Sequence, residues 1–254
     1  MMMAERLDFI RKYLARHKYG NINEMAEIMG LSPATIRRSF KQLEEEGTVV
    51  GIRGGVMMVS SGSVHEQPYA VKKQKNQAEK ARIAQEACKY ICANDCVFLD
   101  SSSTVYEMAE GLQKINALTI ATNDVLIASS LSGLERSRVI TVGGVLRKGY
   151  YTLTGFLAEE NIQQLHVDTF FAGIDAITED GNFMITNPEE VEIKRYLMKN
   201  SQRCVVLCDH EKFGCSALLH LWDYSQVDKV ITGKELDDET YQKYIDLGMP
   251  LIRV

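Results

Sequence analysis

Two stretches of this 254-residue chain concentrate side chains able to hold an anion. The first, LSPATIRRSFKQLEEEG over residues 31–47, offers Ser32, Thr35, Arg37, Arg38 and Lys41 ahead of three glutamates. Arginine can read guanine edges or clamp a phosphate, and serine and threonine hydroxyls take either partner. The second, LDSSSTVYEMAEGL over residues 99–112, places Asp100 before four hydroxyl residues, Ser101, Ser102, Ser103 and Thr104. Hydroxyls and free amides where a helix begins suit a phosphoryl group, since the helix dipole also favours negative charge there. Weaker candidates follow: ATND at 121–124, VGG ending at Gly144, Asp175 after FFAGI, Lys194 in EEVEIKRYL, and Asp209 with Lys212 in CDHEKFG.

The elements that must carry the first stretch can be read from periodicity and caps. Leu7, Ile10, Leu14 and His17 recur at helical spacing, which predicts a helix over 5–17. Asn21 or Asn23 caps a second helix running to Met29, and Gly30 breaks it. Ser32 caps a third helix with Pro33 at its first position, where a missing N–H costs nothing. Ile36, Phe40 and Leu43 form the apolar face of that helix, leaving Thr35, Arg37, Arg38 and Lys41 outward. The β-rich run over 48–59 turns at Arg53-Gly54-Gly55 and reads as a hairpin. Three helices and a hairpin make a winged helix-turn-helix over residues 1–59. Its third helix would enter the major groove of double-stranded DNA, and Arg53 on the wing would meet phosphate or the minor groove. The competing reading of the same charges is a solvated helix face.

Residues 60–76, SSGSVHEQPYAVKKQKN, are polar and irregular and read as a linker. From 77 onward a long helix to about residue 93 leads into alternating apolar strands and helices. Strands are expected at 97–100, 118–123, 138–144, 167–174, 203–209 and 229–233, with a last one at the C-terminus. Helices are expected at 104–112, 124–131, 157–165, 188–199 and 238–247. Such alternation implies a mainly parallel sheet covered on both faces, an α/β domain over 77–254. The polar groups named above fall where strands end, which is where open α/β sheets bind ligands. Ordinary helix capping by Ser and Thr explains residues 101–104 equally well when they are taken alone.

Charge is distributed unevenly. Residues 1–80 hold 13 Lys and Arg against 9 Asp and Glu, and the remainder holds 16 against 25. A basic head on an acidic body is the asymmetry expected if only the head meets a phosphate backbone. No apolar run is long enough for a membrane span and the N-terminus has no apolar signal core, so a cytoplasmic protein is expected. The six cysteines (Cys88, Cys92, Cys96, Cys204, Cys208 and Cys215) lack zinc spacing and are expected as buried thiols, with neither a metal site nor another cofactor.

TIRRSFKQLEEEG followed by IRGG closely resembles the N-terminal signature of the DeoR family of bacterial repressors, with Ser39 and Phe40 where that family usually has Asp and Leu. The ordered segments EKARIA, LDSSST, IATN, VGGVLR, FFAGIDAITEDG, EVEIKRYLM, DHEKFG and VDKVIT resemble the sensor domain of the same family, which is related to ribose-5-phosphate isomerase. Ser102 stands where that family commonly has Gly. The resemblance implies a repressor of a carbohydrate operon that binds operator DNA and responds to a phosphorylated sugar. One short head makes few phosphate contacts, so a homo-oligomer, dimer or tetramer, reading paired half-sites is expected. It implies that Ser101, Ser102, Ser103 and Thr104 hold the phosphate with Thr122 and Asn123, and that Lys194 and Lys212 neutralise charge or bind sugar hydroxyls. A retained sugar-phosphate isomerase, with Asp175, Glu190 or Glu192 as base beside Lys194, is the alternative.

Overall fold

The structure, a computed structural model, describes residues 3–17, 19–45, 48–52, 54–58 and 66–254. Its contacts divide the chain into two compact units, Met1–Lys75 and Asn76–Val254.

In the first unit, helix α1 (Met3–His17) turns Leu7, Ile10 and Leu14 inward. A short strand β1 (Tyr19–Asn21) follows, then α2 (Ile22–Met29). The Asn21 side chain caps α2 by accepting from the backbone N–H of Asn23 and Glu24, and Gly30 ends it at φ 63°, a left-handed conformation in which glycine carries no Cβ penalty. Helix α3 (Pro33–Glu45) starts at Ser32, whose Oγ accepts the Thr35 N–H at 3.2 Å. Strands β2 (Val49–Ile52) and β3 (Gly55–Met58) pair antiparallel with Ile52 opposite Gly55, and β1 joins the far side of β3. Ile36, Phe40 and Leu43 close the core against Leu7, Ile10, Leu14, Met25, Val49 and Val56. This is the winged helix-turn-helix expected, with β1 added. Glu46, Gly47, Arg53 and Val59 lie outside the described residues, as do 60–65 of the expected linker. The linker reading over 60–76 needs correction, because Pro68 accepts from the N–H groups of Val71 and Lys72 and so starts a helix, α4 (Tyr69–Gln74).

The second unit begins with α5 (Gln77–Cys88), shorter than the expected 77–93. Beyond its end, Asp95 accepts the Cys92 N–H at 2.8 Å where the chain turns into β4 (Cys96–Leu99). The expected helix over 104–112 is broken into α6 (Ser103–Tyr106) and α7 (Met108–Leu112). Then come β5 (Thr119–Thr122), α8 (Val125–Leu131) and β6 (Arg138–Thr141). A two-stranded ribbon follows, β7 (Val145–Leu146) paired with β8 (Leu153–Thr154), before α9 (Phe156–Gln163) and β9 (Val167–Gly173). After β10 (Ala176–Ile177) and β11 (Asn182–Ile185) the chain passes through α10 (Val191–Asn200), β12 (Ser201–Leu207), β13 (Leu219–Asp223), β14 (Lys229–Thr232), α11 (Asp238–Asp246) and β15 (Leu251–Arg253).

Seven strands form one parallel sheet in the order β15-β14-β12-β9-β4-β5-β6. Alternate strand residues feed two cores. Phe98, Phe170, Ala172, Val206 and Val230 meet Ala158, Ile162, Ile193, Leu197 and Tyr244 on one face. Val97, Leu99, Ile120, Phe171, Val205 and Ile231 meet Ile83, Ala87, Met108, Leu112, Ile127 and Leu131 on the other. Strands β10, β11 and β13 make a small antiparallel sheet that the sequence reading did not contain. From β4 the chain moves outward through β5 to β6, then crosses to the other side of β4 and continues through β9, β12, β14 and β15. The loops after β4 and β9 therefore diverge, which makes the gap between them the topological switch point of the sheet. Among the described residues no helix is long and apolar enough to cross a membrane.

Candidate functional site

In the first unit, α3 buries Ile36, Ser39, Phe40 and Leu43 and exposes Arg37, Arg38 and Lys41. Neither Arg37 nor Arg38 has an ion-pair partner among the described residues; Lys41 lies 3.9 Å from Glu45 on the same helix. Ser32 is exposed, Thr35 is half-buried, and their hydroxyls meet at 2.9 Å. Ser39, where the resemblance would put a carboxylate, is fully buried, accepts the Arg6 Nε–H at 2.6 Å and donates to the Thr35 carbonyl at 3.1 Å. A neutral hydroxyl thus ties α1 to α3 without burying a second charge. The start of α3 thus presents an exposed cationic face, the kind of helix surface that a major groove admits.

In the second unit, the candidate residues gather at the C-terminal edge of the parallel sheet. Asp100 follows β4, Asn123 follows β5, Asp175 follows β9, Gly144 follows β6, and Lys212 sits in a turn after β12. At the centre is a buried ion pair. Lys194 Nζ, reaching from α10, donates to Asp100 Oδ2 and to the Gly173 carbonyl at 3.1 Å, with Glu190 Oε2 at 4.0 Å. Asp100 Oδ2 also accepts the Gly173 N–H at 2.8 Å. Burial alone would lower the pKa of Lys194, but the carboxylates of Asp100, Glu190 and Asp175 outweigh it, so the pKa stands above the ordinary lysine value and the ammonium keeps its charge. Lys194 is spent on this support and is not available to solvent.

The hydroxyls of the serine-rich loop are largely spent as well. Ser101 Oγ bonds Asp124 at 2.8 Å and Thr152 at 2.7 Å, Ser102 Oγ caps the Thr104 N–H, and Ser103 Oγ accepts from Lys80 Nζ at 3.1 Å. Thr122 lies beneath the site, fully buried, its hydroxyl donating to the Leu99 carbonyl and accepting the Asp124 N–H. Ser102 has an extended backbone, φ −151°, so its side chain is accommodated without strain. With α6 a single turn, the dipole behind the loop is that of one turn only.

What remains open is the backbone and two side-chain atoms. The N–H groups of Ser102 and Ser103 donate to nothing among the described residues. Asn123 uses Oδ1 to accept the Ser101 N–H at 3.0 Å, leaving its buried Nδ2 without a partner. Asp100 Oδ1 is buried and likewise unpartnered. Such atoms cost free energy unless a ligand or water meets them. Lys80, almost fully buried and 3.8 Å from Asp209, supplies positive charge below the loop. Lys212 is half-buried with no carboxylate partner among the described residues. Gly144 has φ 115°, and a Cβ there would stand 2.6 Å from the Thr154 carbonyl, so the close return of the chain at β8 requires glycine.

Lys80, Asp124 and Thr152 belong to this constellation and were not singled out from the sequence. Asp124 ends ATND, where a charge at a strand-end motif was the available signal; Lys80, near the start of α5, and Thr152 had none. The carboxylates offered for isomerisation do not converge as a free base. Glu190 is held by Arg147 at 3.1 Å and Asn187 at 3.0 Å, Asp175 accepts the Thr186 N–H at 2.8 Å, and Glu192 pairs with Arg195 on the exposed side of α10. Burial raises the thiol of Cys88 to about 11 and that of Cys204 further still, so both stay protonated at neutral pH.

Comparison with known proteins adds the following. A family model described as "DeoR-like helix-turn-helix domain" matches residues 6–62, and one described as "DeoR C terminal sensor domain" matches 75–234. The chain is 29% identical to the HTH-type transcriptional regulator GolR of Listeria innocua serovar 6a, over 99% of this chain and 98% of that one. It is 31% identical to the glycerol-3-phosphate regulon repressor of Escherichia coli K12, over 91% of each. Among solved structures, ribose 5-phosphate isomerase from Plasmodium falciparum superposes with a TM-score of 0.39 at 17% identity, covering 54% of this chain and 52% of that one, too loosely to argue from.

Two predictions follow from the buried groups. Lys194→Met strands the Asp100 charge and lowers stability by about 3–5 kcal/mol, and adding Asp100→Asn in the same chain recovers most of the loss. Urea unfolding followed by the fluorescence of Trp222, the one tryptophan and fully buried in this unit, measures both. For Asp124, burial raises the pKa against the lowering bonds from Ile127, Ser101 and Leu126. A carboxyl with a raised native pKa binds its proton more tightly when folded, so its contribution is greatest below its ordinary value and falls as pH rises through the native one. Asp124→Asn, which cannot titrate, flattens the stability profile from about pH 4 upward, read by the same fluorescence.

Proposed function

Since the chain belongs to the DeoR family of transcriptional regulators, with helix-turn-helix and sensor domains in one polypeptide, we propose that it represses a carbohydrate-metabolism operon under the control of a phosphorylated sugar. It acts in the cytoplasm on double-stranded operator DNA. Ser32, Thr35, Arg37, Arg38, Lys41 and Arg53 make the contacts to bases and phosphates. A single head of this size makes few contacts, so the heads work in a homo-oligomer, dimer or tetramer, that reads paired half-sites.

The effector occupies the C-terminal edge of the sensor sheet. The observation that carries this reading is the set of unspent groups at the switch point: the amides of Ser102 and Ser103, Asn123 Nδ2 and Asp100 Oδ1. Three unpaired donors, with the buried Lys80 ammonium bonded to Ser103 of the same loop, suit a phosphoryl group, and one carboxylate oxygen suits a sugar hydroxyl. Strand ends β5 and β12 are three strand spacings apart, about 14 Å, a span that a sugar phosphate bridges with the help of the Lys212 side chain. Gly144 and Asp175 border the sugar end; Thr122, Thr104 and Lys194 hold the frame. The relative named for a glycerol-3-phosphate regulon supports a phosphorylated metabolite, and the names of both relatives speak for regulation in place of isomerisation.

Arg37→Ala and Arg38→Ala each weaken binding to the promoter DNA by about 1–3 kcal/mol in fluorescence anisotropy at fixed moderate salt; wild-type affinity in both variants would sink the DNA reading. Asn123→Asp keeps the acceptor for Ser101 but replaces the open donor with an anion. It lowers sugar-phosphate affinity at least about tenfold, the scale of one charge-assisted hydrogen bond, in a thermal-shift titration with a panel of pentose, hexose and triose phosphates. Undiminished binding would remove Asn123 from the site.

A further inference from the structure

The ribbon β7–β8 and the start of α9 carry an apolar surface that nothing within the body covers. Val145, Leu146, Phe156 and Leu157 are all exposed, Val145 and Phe156 at 68% each, and they fall within residues 145–157. Tyr151 at the ribbon turn is exposed as well, at 39%, while Leu218 and Leu247, the remaining exposed large side chains of this unit, lie elsewhere along the chain. Neighbours on a strand point to opposite faces, so a bare Val145 beside a bare Leu146 means that β7 stands clear on both sides. Among the described residues strand β7 pairs only with β8, so its other edge is open. Val145 also lies beside Gly155, whose Cβ position would be 3.8 Å from Val145 Cγ2, so the strand and the first turn of α9 form one continuous patch.

We propose that this patch is the surface through which the sensor domains of two copies of this chain join about a two-fold axis. An open edge strand can pair antiparallel with its own symmetry mate, the self-complementary arrangement that a two-fold contact requires. Charge points to the same occupant. Lys148 at the ribbon turn and Glu160, one helical turn from Phe156 on α9, are exposed and have no ion-pair partner among the described residues. A two-fold contact through β7 carries the ribbon turn of one copy toward α9 of the other, so each unpaired charge meets its opposite. The apolar side chains offer on the order of 400 Å², since an aromatic side chain alone carries about 150–250 Å². That is half of the roughly 800 Å² each partner contributes to a standard interface, with the polar rim supplying the rest. The buried side of the ribbon is fastened to the effector loops, Thr152 to Ser101 and the Leu153 N–H to the Asn123 carbonyl at 2.7 Å, so the interface and the effector site share one element.

This inference rests on the reading that the heads work in an oligomer, and its test separates the two. Sedimentation equilibrium on the full chain without effector gives the dimer dissociation constant. Phe156→Glu places a charge in the patch at a helix start, where the dipole favours it; it raises that constant at least tenfold while far-ultraviolet circular dichroism and the body's melting stay as in the wild type. Lys148→Glu and Glu160→Lys each weaken the dimer, and the two together restore it. A dimer of unchanged affinity in folded Phe156→Glu overturns the surface and leaves oligomer formation standing. A wild-type chain that stays monomeric at concentrations saturating its operator overturns both. Should Phe156→Glu fail to fold, the charge exchange decides: no rescue in the double variant overturns the proposal.

Discussion

Segments that diverge at the switch point of the sheet are drawn together by one buried charge pair, Lys194 against Asp100. Lys194 comes from α10, Asp100 from the end of β4, and both bond the backbone of Gly173 at the end of β9. Burying two charges carries a desolvation cost of several kcal/mol per ion that only good geometry and further hydrogen bonds offset. Here the Gly173 N–H and carbonyl supply them. The pair thereby holds the end of β4 beside the end of β9 and leaves Asp100 Oδ1 buried without a partner. The serine loop is then fixed by Ser101 to Asp124 and Thr152, and by Lys80 to Ser103. The hydroxyls that the sequence offers as an anion cradle are bonded within the protein, and the donors left unpaired are backbone amides and one asparagine.

That reversal marks the limit of what could be read from the chain. The head was legible because each of its signals is local: Asn21 and Ser32 cap their helices, Gly30 stops one, and Ile36, Phe40 and Leu43 repeat at helical spacing. The parallel strands were legible because they are buried on both faces and read as short apolar runs. The ribbon β7–β8 was not, since VL and LT are two-residue pairs with no alternation to detect. The antiparallel sheet of β10, β11 and β13 was missed because β11 and β13 are separated by α10 and β12, and only the tertiary fold pairs them. The break between α6 and α7 left no signal either, as STVYEMAEGL is compatible with one helix throughout. At the candidate site, the polar residues at strand ends were legible, but which hydroxyls were already spent depended on Thr152 and Lys80, distant in sequence.

A regulator of this kind works only if the effector has different affinities for the DNA-competent and DNA-incompetent states, and the shift it produces cannot exceed that difference. The body offers elements able to register occupancy. The start of α5, immediately after the boundary at Lys75, is fastened to the strand-end loops through Lys80 at Ser103 and Asp209, Glu79 at the His210 N–H and ring, and Arg82 at Glu235. The ribbon is fastened to the same loops from the other side. A ligand that meets the open amides must adjust loops to which both elements are bonded, and the buried charges make those adjustments discrete.

The central claim is that a phosphoryl group lands on the amides of Ser102 and Ser103 and on Asn123 Nδ2. Nitrogen–proton correlation spectra of the full chain, recorded while a sugar phosphate that alters operator binding is added, test it most directly. The account predicts that these three resonances shift saturably, with the same midpoint as the change in operator affinity. Saturable shifts confined to other residues, with these three unmoved, would contradict it.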